Sequence, residues 1–500
     1  MSAKIKLPKL LHLLLLYIIH TTSWTAAAAA TSSFSQFQLI NRGFSVTPSQ
    51  SPFQPILNEP SGVFSLGFLK VGSSQLDLAV IHLPSRQPVW RAIPASPGSW
   101  DNSVTFSFNG SLVLSDSGNG VLWSTGSVDG DTLVLLNSSN LQIQKAGKPA
   151  ASVLWQSFDF PSDTIMQGQN FTSKAALFSN NQKFSMSLGF DYLALYMEFP
   201  GVAAPRYWKR TALQAKARII QGKGPIYARV NPTGFLGLYQ TEAVPVDVIS
   251  FDTFNRGIPD LRRLTLESDG NLKAYYWNGS SWVLDFKAIP DSEACQLLSA
   301  CGAYGLCRLE DPMCACLDNT TAICPPADSG NLCSSGRGSS SSVGGDDYTV
   351  FRTKGVELPN KELAGYHKVG SLEECEQSCE RNCSCWGAVY NNVSGFCYSI
   401  DYPIQTLVEA GNVQKTGYFK VRTRASSKSK SKSKAGMVVL LTVGVLVFLA
   451  ATGFGAYRVW NQIRRRSQDG LDESTVEWPY KDLKSGSSFR SIELSESFRK

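Results

Sequence analysis

The sequence predicts a mainly β, multi-module chain with one membrane-spanning helix, on three observations. From Phe34 to about Ala288 there is no cysteine, and Gly, Pro and Ser punctuate short apolar stretches. All 12 cysteines then fall between Cys295 and Cys397. Beyond them Met437 to Tyr457 forms one uncharged apolar run, long enough as a helix to cross a hydrocarbon core of about 30 Å.

In chain order, Lys4, Lys6 and Lys9 precede the apolar stretch Leu10 to Ile19, and the small residues Ala26 to Ala30 follow it. That is the layout of a secretory signal over residues 1–30. It sends the chain into the lumen first, so everything to about Lys434 is expected outside. Charge alone leaves this undecided, because Arg458 and Arg464 to Arg466 favour a cytoplasmic C-terminus while Lys428, Lys430, Lys432 and Lys434 flank the other end. Sequons at Asn109, Asn137, Asn170, Asn278, Asn319, Asn382 and Asn392 all fall on the proposed luminal side, as on a secreted glycoprotein.

The cysteine-free region reads as β. Val104 to Phe108, Ser111 to Leu114 and Thr132 to Leu136 have strand length, separated by turn residues such as Ser117-Gly118-Asn119-Gly120 and Asp129-Gly130. The region also repeats itself. Phe64-Ser65-Leu66-Gly67-Phe68 returns as Met186-Ser187-Leu188-Gly189-Phe190, and Asn109-Gly110-Ser111-Leu112 as Asp269-Gly270-Asn271-Leu272. Two related β domains are expected, the second carrying an insertion.

Pro60-Ser61-Gly62-Val63-Phe64-Ser65-Leu66-Gly67-Phe68, Pro88-Val89-Trp90 and above all Trp155-Gln156-Ser157-Phe158-Asp159-Phe160-Pro161-Ser162-Asp163-Thr164 resemble the bulb-type (G-type) lectin domain of plant S-domain receptor-like proteins. In order and spacing the resemblance continues through an EGF-like and a PAN/apple module, covering roughly Phe34 to Val421. It implies a β-prism of three four-stranded sheets over 31–165 and a related S-locus-glycoprotein region over 166–290. An EGF-like module over 291–326 and an α+β PAN module over 327–422 follow. A basic linker (423–436), the membrane helix (437–457) and a cytoplasmic tail (458–500) complete the expected chain.

An even cysteine count in an oxidising compartment reads as disulfides. Cys295, Cys301, Cys307, Cys314, Cys316 and Cys324 have EGF-like spacing, and the resemblance implies Cys295 with Cys307, Cys301 with Cys314 and Cys316 with Cys324. Cys333, Cys375, Cys379, Cys383, Cys385 and Cys397 are left to the PAN module, their connectivity open, with Cys324 able to serve either module. Ser371-Leu372-Glu373-Glu374 is a capping box, so a helix is expected after Ser371 with Cys375, Cys379 and Cys383 on one stripe and Glu376 facing solvent. No metal site and no cofactor are expected.

The resemblance also says where a sugar would bind. Mannose-binding bulb lectins use a Gln-x-Asp-x-Asn-x-Val-x-Tyr strand, whose alternate side chains share one face. In the first domain Ser107, Asn109, Ser111, Val113, Ser115 and Val128, Gly130, Thr132, Val134, Leu136 stand in that pattern, so each keeps only the Val. A lectin fold therefore does not imply mannose binding there. Glu267, Asp269, Asn271, Lys273 and Tyr275 match better, making Asp269, Asn271 and Tyr275 the candidate ligand-binding residues, against a plain hairpin turn at Asp269-Gly270-Asn271. Trp277, Trp282, Tyr275 and Tyr276 offer either a recognition surface or core packing.

An enzyme is not expected. Outside the signal only His82 and His367 remain, in different modules, and no pair of carboxylates stands out. The net charge of +7 is modest, and the lysines alternating with serine in Ser426 to Lys434 read as a solvated spacer, so nucleic acid is not an expected partner. Residues 458–500 carry no glycine-rich loop, Val-Ala-Ile-Lys, His-Arg-Asp or Asp-Phe-Gly. Signalling would pass through a partner or through a modified tail, in which Ser467, Ser474, Tyr480, Ser485, Ser487, Ser488, Ser491, Ser495 and Ser497 are candidate phosphoacceptors. The expected partners are an extracellular glycan, protein or peptide ligand and an S-domain receptor kinase or a second copy. The competing readings are a membrane-anchored lectin and a structural wall glycoprotein.

Overall fold

Alternation of apolar and polar residues builds the sheets: in Val104–Phe108 the side chains of Val104, Phe106 and Phe108 are buried while Thr105 and Ser107 are not. The computed structural model describes residues 38–422, with breaks at 50–51, 102, 148–149, 213–225, 242–243, 259–260, 309–313, 318–331 and 333–347, and residues 451–461. The signal, the basic linker, residues 437–450 of the apolar run, the tail beyond 461, Cys324, Cys333 and Asn319 lie outside the described residues.

The first β body is three antiparallel meanders. Phe64–Val71, Gln75–His82 and Gln87–Arg91 form one, Val104–Phe108, Leu112–Asp116 and Gly120–Ser124 the next, and Thr132–Leu135, Leu141–Lys145 and Ser152–Gln156 the last. Three short strands ahead of them each supply a fourth. Ile40–Asn41 joins the last meander, Phe44–Val46 the middle one and Phe53–Asn58 the first, and the first sheet departs from the expected four strands because Gly98–Ser99 adds a fifth along Gln75–His82.

The second body repeats this plan. Thr164–Met166 joins the last meander (Arg262–Leu266, Leu272–Trp277, Trp282–Lys287), Asn170–Phe171 the middle one (Tyr227–Asn231, Phe235–Tyr239, Pro245–Ser250), and Leu177–Phe178 the first (Phe184–Leu188, Tyr192–Met197, Arg206–Thr211). The last-middle-first order is the same in both, so the two bodies are prisms of one topology. The repeat of Phe64–Phe68 in Met186–Phe190 falls on equivalent sheets. Asn109–Leu112 and Asp269–Leu272 do not, because one turns in a middle meander and the other in a last one. What they share is the hairpin itself, with Gly110 at φ 90° and Gly270 at φ 87°.

Past Asp291 the two cysteine-rich modules share a sheet. Gly305–Cys307 pairs with Cys314–Cys316 on one side and runs parallel to Leu407–Glu409 on the other, and that strand pairs with Val356–Glu357. One apolar cluster spans both, with Tyr304 beside Val356, Trp386 and Phe419. A second sheet orders Tyr348–Lys354, Lys415–Arg422, Gly387–Asn391, Phe396–Ile400 and Tyr366–Lys368, with helix α1 (Leu372–Glu380) against it. Disulfides join Cys295 to Cys307, Cys301 to Cys314, Cys375 to Cys397 and Cys379 to Cys385, and Cys316 and Cys383 are disulfide-bonded too.

Helix α1 begins where the capping box puts it: Ser371 Oγ accepts from Glu374 N at 3.2 Å, and Glu374 Oε2 accepts from Gly370 N at 2.8 Å. The expected stripe of three cysteines is shorter. The helix ends at Glu380, because Asn382 Oδ1 takes the amide and hydroxyl of Ser384 at 3.0 and 2.8 Å and turns the chain, so Cys383 lies beyond it. Glu376 does not face solvent freely either, since its carboxylate holds Arg352 by three hydrogen bonds of 2.9 to 3.1 Å.

No helix among the described residues is long and apolar enough to cross a membrane. Residues 451–461 are helical and belong to a unit separate from residues up to Thr423.

Candidate functional site

On the first prism the positions aligned with the mannose strand carry little binding chemistry. Ser111 Oγ is committed to the chain, donating to Val128 O at 2.6 Å and accepting from Val128 N at 2.8 Å. At Gly130 a Cβ would lie 2.1 Å from Ile143 Cγ2, so packing forbids the polar side chain a sugar would need there.

Of the second-prism candidates, Asp269 and Asn271 sit in the turn between Arg262–Leu266 and Leu272–Trp277, and Tyr275 lies on the latter strand, paired with Arg263. Asn271 is buried, and its amide is used up on Ile289: Nδ2 donates to the carbonyl at 2.7 Å and Oδ1 accepts from the amide at 3.1 Å. Asp269 closes the turn by accepting from Asn271 N at 2.8 Å and pairs with Lys273 at 2.7 Å. Tyr275 donates its hydroxyl to Glu267 at 2.7 Å; burial, then that carboxylate, push the phenol up. Gly270 packs on Phe184, whose ring carbons lie 2.8 Å from where a Cβ would stand. The structure thus closes Asp269 and Asn271 into a hairpin turn with Tyr275 further along its strand, and their polar groups are engaged by Lys273, Ile289 and Glu267.

Trp277 and Trp282 belong to the junction between the prisms. They close around His82 of the first prism at ring separations of 4.7 and 5.2 Å, with Phe64 behind it at 5.5 Å. Ser85 Oγ links the two sides, meeting His82 Nδ1 at 2.9 Å and accepting from Trp282 Nε1 at 3.0 Å. Arg263 lies over the Trp282 ring at 4.5 Å. Burial, then the Arg263 charge, pull the His82 imidazole down to about 4. His367 lies on the exposed edge strand Tyr366–Lys368 of another sheet.

A cavity of about 370 Å³ is lined by residues of both prisms. The segment from Trp155 to Thr164, singled out from sequence for its family match, is the covalent join between the prisms and forms much of one wall. Trp90, Trp123 and Trp155 meet edge to face at 5.8 to 6.2 Å, and Phe160 lies flat against Trp155 at 5.8 Å. Lys174, Phe178 and Gln182 face them from the second prism. Sequence reading missed this site; the density of tryptophan around a segment that leaves one domain for the next was the available signal.

The six described sequon asparagines, Asn109, Asn137, Asn170, Asn278, Asn382 and Asn392, are all exposed. At Asn278 and Asn382 the side-chain oxygen already accepts from the sequon serine hydroxyl, at 2.9 and 2.8 Å.

Two prisms of one topology followed by a cystine-tied hairpin and a helix-on-sheet module define a modular, lectin-like β protein. The D-mannose binding lectin model matches residues 88–186, the S-locus glycoprotein domain 242–321 and the PAN domain 349–422. A PAN domain-containing protein of Arabidopsis thaliana is 41% identical over 97% of this chain and 98% of its own. A G-type lectin S-receptor-like serine/threonine-protein kinase of Arabidopsis thaliana is 27% identical over 81% of this chain and 51% of its own, so the chain spans about half the length of that kinase. Among solved structures a Marasmius oreades lectin matches at 16% identity and a TM-score of 0.19, covering 25% of this chain and 92% of its own. The chain belongs to the plant S-domain receptor-like proteins that carry bulb-lectin, S-locus and PAN domains.

Proposed function

We propose that this chain is a single-pass plasma-membrane glycoprotein whose extracellular modules recognise a carbohydrate or protein ligand, and which signals with an S-domain receptor kinase or a second copy of itself. The observation that carries the reading is the match of the two prisms and the PAN-type module to the part of the receptor kinases that this chain spans. The signal layout at 1–30 and the apolar run Met437 to Tyr457 support the topology. Its work is recognition, not catalysis: His82 is walled in by rings, and His367 stands apart on another sheet.

Crosslinking on intact plasma membrane, followed by identification of the partners, tests this. A receptor kinase in the crosslinked product supports the reading; polysaccharide alone favours an anchored lectin, and no product a structural wall glycoprotein. Protease added to intact cells should remove the glycosylated portion and leave a small fragment bearing the tail. A C-terminal tag accessible from outside would overturn the topology.

A further inference from the structure

We propose that the cavity between the two prisms is a carbohydrate site for a short neutral pyranose segment, distinct from the strand positions considered above; the inference rests on the reading of the chain as a recognition protein. At about 370 Å³ the cavity lies within the range of about 300–1,000 Å³ usual for small-molecule sites. Phe160 is 57% exposed although it stacks, offset and nearly parallel, on Trp155 at 5.8 Å, so much of its ring is open to a ligand. A pyranose presents what such a ring accepts, a flat face of C–H groups, with a rim of hydroxyls that need donors and acceptors. The lining supplies those from both prisms through Asp159, Lys174 and Gln182. Asp159 is engaged only lightly, through one oxygen on Gln156 Nε2 at 3.1 Å.

Charge selects the ligand class. Arg91 also lines the cavity, but Asp77 neutralises it at 2.7 Å, and it is held across the junction by Asn180. Asp159 and Lys174 then cancel, which leaves no surplus charge to hold an anionic glycan or a phosphate. The walls are also fixed in place, because Trp90 Nε1 donates to Phe160 O at 2.8 Å and Phe178 N donates to Ser162 O at 3.0 Å. A preformed site loses little to ordering when it binds.

The test is saturation-transfer NMR on the purified full-length chain with cellobiose, mannobiose and maltose, read alongside tryptophan emission. At least one disaccharide should bind and shift the emission. Phe160→Ala should weaken binding about 3- to 10-fold through loss of the stacking platform, without lowering the unfolding temperature, because that ring is largely exposed. Lys174→Ala, on the other prism, should weaken it as well. Binding of none of the three sugars, or unchanged binding in both variants, overturns the proposal. So does binding that responds to Tyr275→Phe in place of Phe160→Ala, or a cavity that takes an aromatic peptide probe and no sugar. None of these results bears on kinase crosslinking, so the wider reading stands or falls separately.

Discussion

The two prisms are built without a single cysteine, whereas the region after Asp291 places four located disulfides around a smaller apolar interior. Among the described residues the prism cores are single clusters of 23 and 24 buried residues, whereas the cystine-rich region divides a smaller interior into clusters of 10, 7 and 3. A core of the larger size can outweigh chain entropy by burial, and the smaller one needs covalent help. Each prism also buries an ion pair, Arg91 with Asp77 at 7% and 0% side-chain exposure in the first and, more completely, Arg262 with Asp285 at 0% and 1% in the second.

Breaking that pair should have the largest effect. Asp285 accepts from Thr253 N at 2.9 Å and Thr253 Oγ1 at 2.6 Å as well as from Arg262 Nη1, while Arg262 Nε donates to Pro232 O at 3.0 Å. Asp285→Ala leaves the guanidinium buried without its counter-charge, and the expected loss is about 3–5 kcal/mol in chemical denaturation of the full chain. A loss below about 1 kcal/mol would mean that the second prism is held by its apolar core alone.

The disulfides come next. Cys375 and Cys397 are 22 residues apart and Cys379 and Cys385 only 6, so chain entropy assigns about 3 kcal/mol to the first bridge and about 2 kcal/mol to the second. Cys375→Ser should therefore cost more than Cys379→Ser. Both should be retained in the secretory pathway with sugars that stay sensitive to endoglycosidase. Glu376→Gln, which breaks a pair whose Arg352 partner is largely exposed, should cost about 1 kcal/mol or less. Normal surface delivery of Cys379→Ser with unchanged thermal unfolding would show that the smaller core does not depend on this bridge.

The junction between the prisms is predicted to respond to pH through His82. Its folded pKa is about 4, below the ordinary 6.5, so the unfolded chain binds the proton more readily. That contribution to stability is complete above about pH 6.5 and is lost as pH falls towards 4, amounting to about 2 kcal/mol by pH 5. Asp77 and Asp163, both pushed up by burial, act with the opposite sign in acid. The difference between the unaltered chain and His82→Asn isolates the histidine. Parallel stability curves for the two between pH 7 and pH 5 would rule out a titrating junction.

The sequence made local features legible and distant ones not. The helix start at Ser371 and the hairpin turn at Asp269 to Asn271 are set by residues within four positions of each other, so they could be read from spacing. The helix end is local too, set by Asn382 bonding to Ser384, but the four-residue spacing of the cysteines runs past it and reads as continued helix. The link between Ser85 and Trp282 spans 197 positions and follows from how one prism docks on the other. For the same reason the grouping of Trp90, Trp123 and Trp155 around the cavity is not legible in the sequence, and Asn271 reads as a ligand group although Ile289, 18 positions on, satisfies it.

The smallest effect is expected at the cap of α1, and it separates local from covalent support in the cystine-rich region. Ser371→Ala removes the acceptor for Glu374 N, a change usually worth about 1 kcal/mol in a helix free to fray. Here Cys375 and Cys379 fasten the helix one and two turns further on, through Cys397 and Cys385. Fraying is confined to the first turn, so amide exchange should quicken at Glu374 and Cys375 while exchange at Cys379 and the global unfolding midpoint barely move. Ser371→Asp, an equally good acceptor with a charge suited to a helix N-terminus, should restore protection. Faster exchange along the whole of α1 in Ser371→Ala would show that the cap, and not the disulfides, holds this helix against its sheet.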